Sequence, residues 1–194
     1  MKNLRSAARR QPRPAAVATA AGAALLALLA SGCTGSEPEA AKSYQVPDSL
    51  CGTAVEPDLL EPALPPGEKI STRKKTSVGY ERCHVLVDDT AVLSVRKSWW
   101  DADTTAPEVA SSERGGGVEL DAQLSDDRRL AWSTKGAVGQ IHCPKPSADP
   151  DQRDSRLFAT FVIFGDGKAK ESEMRKLITA YTESVSTSAE CNAG

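Results

Sequence analysis

Leu157-Phe158-Ala159-Thr160-Phe161-Val162-Ile163-Phe164 decides the fold. The run is too short for a buried helix, and its β-branched and aromatic residues suit a pleated surface. Apolar side chains fall at both odd and even positions, so both faces need cover, which places this strand centrally in a sheet. Downstream, residues 169–187 carry Met174, Leu177, Ile178, Tyr181 and Val185 at the i, i+3, i+4, i+7 spacing of an amphipathic helix. Glu171 and Arg175 stand one turn apart on its polar side. That apolar stripe needs a surface, and the sheet supplies one.

Working upstream, the remaining signals are short strands. Residues 69–78 alternate loosely. Cys83-His84-Val85-Leu86-Val87 and residues 91–100 flank Asp88-Asp89-Thr90 and read as a hairpin. On its return strand Ala91, Leu93, Val95 and Trp99 share one face, while Val92, Ser94, Arg96, Ser98 and Trp100 share the other. Residues 101–117 read as a long mobile loop. Strands are expected at 118–124, 129–134 and 137–143, with a polar loop at 144–155. Glu56-Pro57-Asp58-Leu59-Leu60-Glu61 starts a short helix that Pro62, Pro65 and Pro66 limit to one or two turns. Strands in succession, a short helix before them and a helix at the end predict an α+β fold with a mainly antiparallel sheet.

The first 32 residues hold Lys2, Arg5, Arg9, Arg10 and Arg13, and no acid, ahead of a 16-residue apolar run at 15–30. As a helix that run spans about 24 Å, short of the ~30 Å hydrocarbon core, so it fits a cleaved secretory signal better than a permanent span. Arg9-Arg10 hints at twin-arginine export, but Gln11-Pro12 follows where an apolar pair is usual, which favours the general secretory route. Removing this leader leaves 19 Lys and Arg against 26 Asp and Glu, a net charge of −7. Such a balance argues against nonspecific nucleic-acid binding and against the body lying flat on anionic lipid. Residues 33–47, rich in Ser, Gly, Glu, Ala and Pro, read as a flexible tether, and 48–194 as one domain.

Cys51, Cys83, Cys143 and Cys191 are an even set in a chain read as exported, hence two disulfides. Local order favours Cys51–Cys83 and Cys143–Cys191. The terminal helix must run back across the sheet, which carries Cys191 toward the strand end at Cys143. Nested pairing, Cys51–Cys191 with Cys83–Cys143, is the rival.

Catalytic and metal chemistry is hard to assemble from these residues. No Gly-x-Ser-x-Gly elbow is present. Ser71-Thr72-Arg73-Lys74 and Ser94-Val95-Arg96-Lys97 have Ser-x-x-Lys spacing without companion motifs. Cys83-His84 and His142-Cys143 offer metal-binding residue types, but neighbours on a strand point to opposite faces, so no structural metal or other cofactor is expected. Asp149-Pro150-Asp151-Gln152-Arg153-Asp154 lacks the glycine and terminal glutamate of a calcium hand, and Gly115-Gly116-Gly117 lacks the lysine of a phosphate loop. Trp100 beside Arg96 is the one candidate recognition surface, provided that no loop or helix covers it.

The run Leu28-Leu29-Ala30-Ser31-Gly32-Cys33 resembles the lipobox of bacterial lipoproteins, with Ala30 where that family usually has leucine. The resemblance implies that the Cys33 thiol receives a diacylglyceryl group and becomes the mature N-terminus on the outer membrane face. The Ala-rich leader, Leu50-Cys51-Gly52-Thr53-Ala54-Val55, Leu64-Pro65-Pro66-Gly67, Cys83-His84-Val85-Leu86-Val87-Asp88 and a terminal helix ending in cysteine resemble small secreted lipoproteins of actinobacteria. That likeness implies a lipid-anchored, stapled α+β domain and brings no catalytic residue with it. The expectation is an extracytoplasmic, membrane-anchored, non-catalytic binding module. Its partners are membrane lipid through acylated Cys33 and an envelope protein or ligand not identified by sequence. An envelope hydrolase with a dispersed site and a metal-handling protein are the alternatives. Replacing Cys33 with Ala is expected to abolish lipid labelling and leader cleavage; normal maturation of that variant, read by mass and membrane fractionation, overturns the assignment.

Overall fold

In the computed structural model, residues 41–77, 80–113, 118, 122–144 and 154–192 are described. In chain order the elements are β1 (Ser49–Leu50), β2 (Thr53–Ala54), α1 (Pro57–Leu60) with a 3₁₀ turn at Glu61–Ala63, β3 (Ile70–Ser77), β4 (Tyr80–Val87), β5 (Thr90–Asp101), α2 (Ala106–Ser111), β6 (Gln123–Leu124), β7 (Leu130–Trp132), β8 (Gly136–Ile141), β9 (Ser155–Ile163), α3 (Glu171–Thr187) and α4 (Ala189–Asn192). The main sheet has seven strands in the order β3-β4-β5-β9-β8-β7-β6, and β1 and β2 form a small pair of their own. Every named pairing is antiparallel, so the fold is α+β with the sheet dominant.

The 157–164 run becomes β9, and it is central as its pattern requires. Leu157, Ala159, Phe161 and Ile163 enter the larger core, beneath α3 and the β1–β2–α1 segment. Phe158, on the other face, joins a second core with Val138, Ala131 and the α2 residues Ala106, Val109 and Ala110. From α3, Met174, Leu177, Ile178, Tyr181 and Val185 are all buried, and the Tyr181 ring meets Phe161 edge-on at 5.0 Å. The helix rides close to β8. A Cβ added at Gly139 would lie 2.7 Å from Thr182 Cγ2 and 2.9 Å from Ile178 Cγ1, so this position needs glycine for the approach.

The β4–β5 turn is the two residues Asp88 and Asp89, with φ of 49° and 63°. Two consecutive left-handed residues match the twist of a tight hairpin, and Asp tolerates them. The Asp88 carboxylate accepts the backbone N–H of Lys69 at 2.9 Å and of Glu68 at 3.1 Å, which ties the start of β3 to the same corner. The register shifts between Val85 and Leu86. The alternation expected along β5 therefore breaks there: Val92, expected on the outer face, packs against the larger core.

Two further expectations change. The segment read as a mobile loop at 101–117 contains α2. Thr105 caps it: Glu108 Oε2 accepts the Thr105 N–H and hydroxyl, both at 2.7 Å. Val109 is fully buried, so the helix is held by packing. The expected tether 33–47 also gives up its last residues. Lys42 bridges to Gly67, the Tyr44 hydroxyl donates to Pro65 O, and Tyr44 and Val46 pack on the core. The apolar area of those two side chains draws the chain onto the domain. The leader and residues 33–40 lie outside the described residues. So do parts of the strand expected at 118–124, of which Val118 is a buried non-strand residue and 123–124 form β6.

The disulfides are Cys51–Cys83 and Cys143–Cys191, with Cα separations of 5.9 and 4.7 Å, and the nested rival is excluded. The first ties the β1–β2 turn to interior strand β4; the second ties α4 to the chain just after β8. Loops of 32 and 48 residues are closed. In the chain-entropy picture each closure contributes about 4 kcal/mol.

Phe161→Ala removes a fully buried ring from the larger core. It is expected to cost about 3–5 kcal/mol in denaturant unfolding; a loss below about 1 kcal/mol would show that β9 does not carry the core.

Candidate anion-binding face

Strands β3, β4 and β5 have two sides. Cys83, Val85, Leu93 and Val95 face the larger core. Their chain neighbours point outward, and cross-strand partners share a face. Register therefore builds three outward rows: Arg73–His84–Ser94, Lys75–Arg82–Arg96 and Ser77–Tyr80–Ser98. The middle row continues to Thr160 on β9, whose hydroxyl is buried with no hydrogen-bond partner among the described residues. The surface holds four cations within a patch whose row spacing is about 5 Å and whose along-strand spacing is about 7 Å. It carries no carboxylate at any of these strand positions.

Arg73 and Lys75 are exposed, while Arg82, Arg96, His84 and Tyr80 are half-buried. Charge on β3 has a plain structural use, because an edge strand carrying cations resists edge-to-edge pairing. Arg82 and Arg96 have no such use, since β4 and β5 are interior strands. They stand directly opposite one another, where like charges destabilise a sheet. Tyr80 lies beside both: its ring centroid is 5.9 Å from the Arg82 guanidinium and 5.3 Å from that of Arg96. Those ring contacts offset part of the repulsion. Among the described residues, none of the four cations forms a salt bridge.

The titrating neighbours register the same field. Burial lowers the affinity of His84 for a proton, and Arg82 and Arg73 lower it further, so the imidazole is held below its ordinary pKa. The Tyr80 hydroxyl is held below the usual phenol range by its hydrogen bond with Ser77, with Lys75 and Arg82 acting in the same direction and slight burial opposing. At one margin of the face Phe164 is 38% exposed and meets the His84 ring edge-on at 5.8 Å. α2 packs on β7, β8 and β9. Among the described residues no helix makes an extensive contact with β3 or β4 on this side.

Lys97 stands apart from this group. It faces the core side, where its ammonium pairs with Glu190 of α4 and lies 3.5 Å from Glu81. Burial pulls its pKa down, but the hydrogen bond and charge of Glu190, then Tyr181 and Glu81, outweigh that and raise it. Ser94 is on the opposite face from Lys97, as three residues along a strand require, so this Ser-x-x-Lys spacing assembles no catalytic pair. The same holds for Ser71 and Lys74 on β3.

Of the residues singled out by sequence, Trp100 proves half-buried: its Nε1–H donates to Ser98 Oγ at 2.8 Å and its ring packs against the second core. Trp100 thus stands half-buried at the margin of the face, while Arg96 takes a central place. Cys83 turns inward to its disulfide as His84 turns outward, and His142 follows β8 on the surface beside Cys143. Among the described residues no three His, Cys, Asp or Glu side chains converge in a metal-binding group. Cys33, Gly115-Gly116-Gly117 and all but Asp154 of the 149–154 stretch lie outside the described residues. Sequence reading missed Arg73, Lys75, Arg82, Tyr80 and Phe164. Their i, i+2 spacing within strands was a visible signal, but the alignment between strands was not.

In comparisons with known proteins, no family model, no curated protein and no solved structure matches this chain.

Arg96→Gln is expected to change stability by at most about 1 kcal/mol, with the balance moving toward the variant as salt is lowered, because it relieves unscreened repulsion. A loss above about 2 kcal/mol in matched denaturation curves would mean that the guanidinium has a structural partner.

Proposed function

We propose that this protein is an extracytoplasmic lipoprotein, tethered through Cys33, that acts as a non-catalytic module binding an anionic partner on the cation-bearing face of β3–β5. The observation that carries this reading is the Arg82–Arg96 pair. Two guanidinium groups are set directly opposite each other on interior strands, without a carboxylate, in a chain that is acidic once its leader is removed. The Tyr80 ring offsets only part of the repulsion between them, whereas an anion shared between two forked donors would supply the missing negative charge. The lipobox-like run ending at Cys33, the two disulfides and the likeness to small actinobacterial lipoproteins support the outer-face location. The separation of Ser94 from Lys97 and of His84 from Cys83 onto opposite faces favours binding over catalysis.

The local patch, rather than the net charge, governs contacts within a Debye length of about 8–10 Å. A protein with net charge −7 is nevertheless expected to be retained on phosphocellulose at low salt, and the Arg82→Gln/Arg96→Gln variant to pass through without any loss of melting temperature. Flow-through of the native chain, or equal retention of the variant, overturns the reading.

A further inference from the structure

We infer that the occupant of this face is the anionic phospholipid surface of the membrane that holds the chain, so that the domain lies on the bilayer with the β3–β5 face down. This rests on the tethered-module reading and names its partner.

The first argument is reach. Lys42 and Tyr44 are already on the domain, so only residues 34–41 separate a lipidated Cys33 from the fold. Eight residues reach about 30 Å at the most, even fully extended. The domain is therefore confined to the neighbourhood of the headgroups, where any basic face meets a high local concentration of phosphate.

The second argument is where the chain leaves the fold. Ala41 and Lys42 line an open cleft of about 1280 Å³ with the 3₁₀ turn at Glu61–Ala63 and the start of α3, and Phe164 lines its other wall. Phe164 abuts His84, and His84 pairs across the strands with Arg73. The chain thus enters the fold at a cleft that Phe164 also lines. Phe164 is one of two large hydrophobic side chains exposed among the described residues. An aromatic ring beside a row of arginines is the pairing that suits a bilayer interface: the ring enters the acyl boundary while the guanidinium groups take phosphates.

The third argument is charge segregation. The four cations lie on one face while the domain as a whole is acidic, so a negative surface attracts this side and repels the rest. The expectation drawn from net charge, that the body avoids anionic lipid, changes once the positions of the charges are known.

The test uses the mature chain from residue 33 with Cys33→Ser, so that no acyl group contributes. Co-sedimentation is measured with vesicles of phosphatidylglycerol and phosphatidylcholine, and with phosphatidylcholine alone. Binding is expected only to the anionic vesicles and is expected to weaken with salt. Arg82→Gln/Arg96→Gln should lower it by about tenfold or more, since each surface cation near an anionic membrane is worth about fivefold. Phe164→Ser, at an exposed position, should lower vesicle binding while leaving retention on phosphocellulose intact. Retention on phosphocellulose without vesicle binding overturns the membrane inference, leaves anion binding standing and points to a soluble polyanion. Equal binding to neutral vesicles, or no effect of either variant, also overturns it. Loss of both vesicle binding and phosphocellulose retention removes the underlying reading as well.

Discussion

The structure depends on β9 being buried on both faces. A strand with Phe158 on one side and Phe161 on the other needs two layers of cover, and it obtains them from different parts of the chain. One layer is α3 with the N-terminal β1–β2–α1 segment. The other is α2, drawn from a stretch whose composition is that of a loop. β9 also joins the two halves of the sheet, since it pairs with β5 on one side and β8 on the other. The two meanders, β3-β4-β5 and β6-β7-β8, meet only through it. Burial on both faces therefore fixes the strand order as well as the core.

Among the described residues, cover on the second face is incomplete. α2 is a short helix and reaches only the β7–β9 half. Beyond it the outward strand positions are polar and basic; Arg73 and Lys75 are exposed, while Ser94 and Ser98 are buried. Solubility alone does not require one sign of charge on three adjacent strands. In water each exposed cation is tolerable; in a row at strand spacing the cations raise the free energy of the fold, and Tyr80 returns part of it. A ligand that supplies the missing negative charge turns this local cost into affinity.

The disulfides act on the opposite side. Cys51–Cys83 holds the N-terminal hairpin against β4, which is how a segment with two very short strands can roof a core. Cys143–Cys191 holds α4, and with it Glu190, over Lys97. Both staples therefore secure the covered side of the sheet, and the cation-bearing face is left without cross-links among the described residues.

Sequence alone determined the central strand, the amphipathic helix, a hairpin turning at Asp88-Asp89-Thr90 and the fold class, and it favoured one cysteine pairing without excluding the nested rival. These follow from periodicity and chain direction, which are local properties. It also contained the Thr105–Glu108 capping signal, overlooked because a one-and-a-half-turn helix among Asp, Thr, Ser and Pro has too little periodicity to declare itself. What the tertiary structure decided is which charges meet. A two-residue turn at Asp88-Asp89 with regular pairing sets Arg82 opposite Val95. The register shift at Val85–Leu86 sets it opposite Arg96 and at the same time lines up Cys83 with Val95 and Val85 with Leu93 in the core. The shift is retained because a slip of one residue would bury the wrong face of β4 or β5. The cation row is thus a consequence of core packing on the far side of the same strands. No reading of one strand at a time contains it, because it exists only once the register between strands is set.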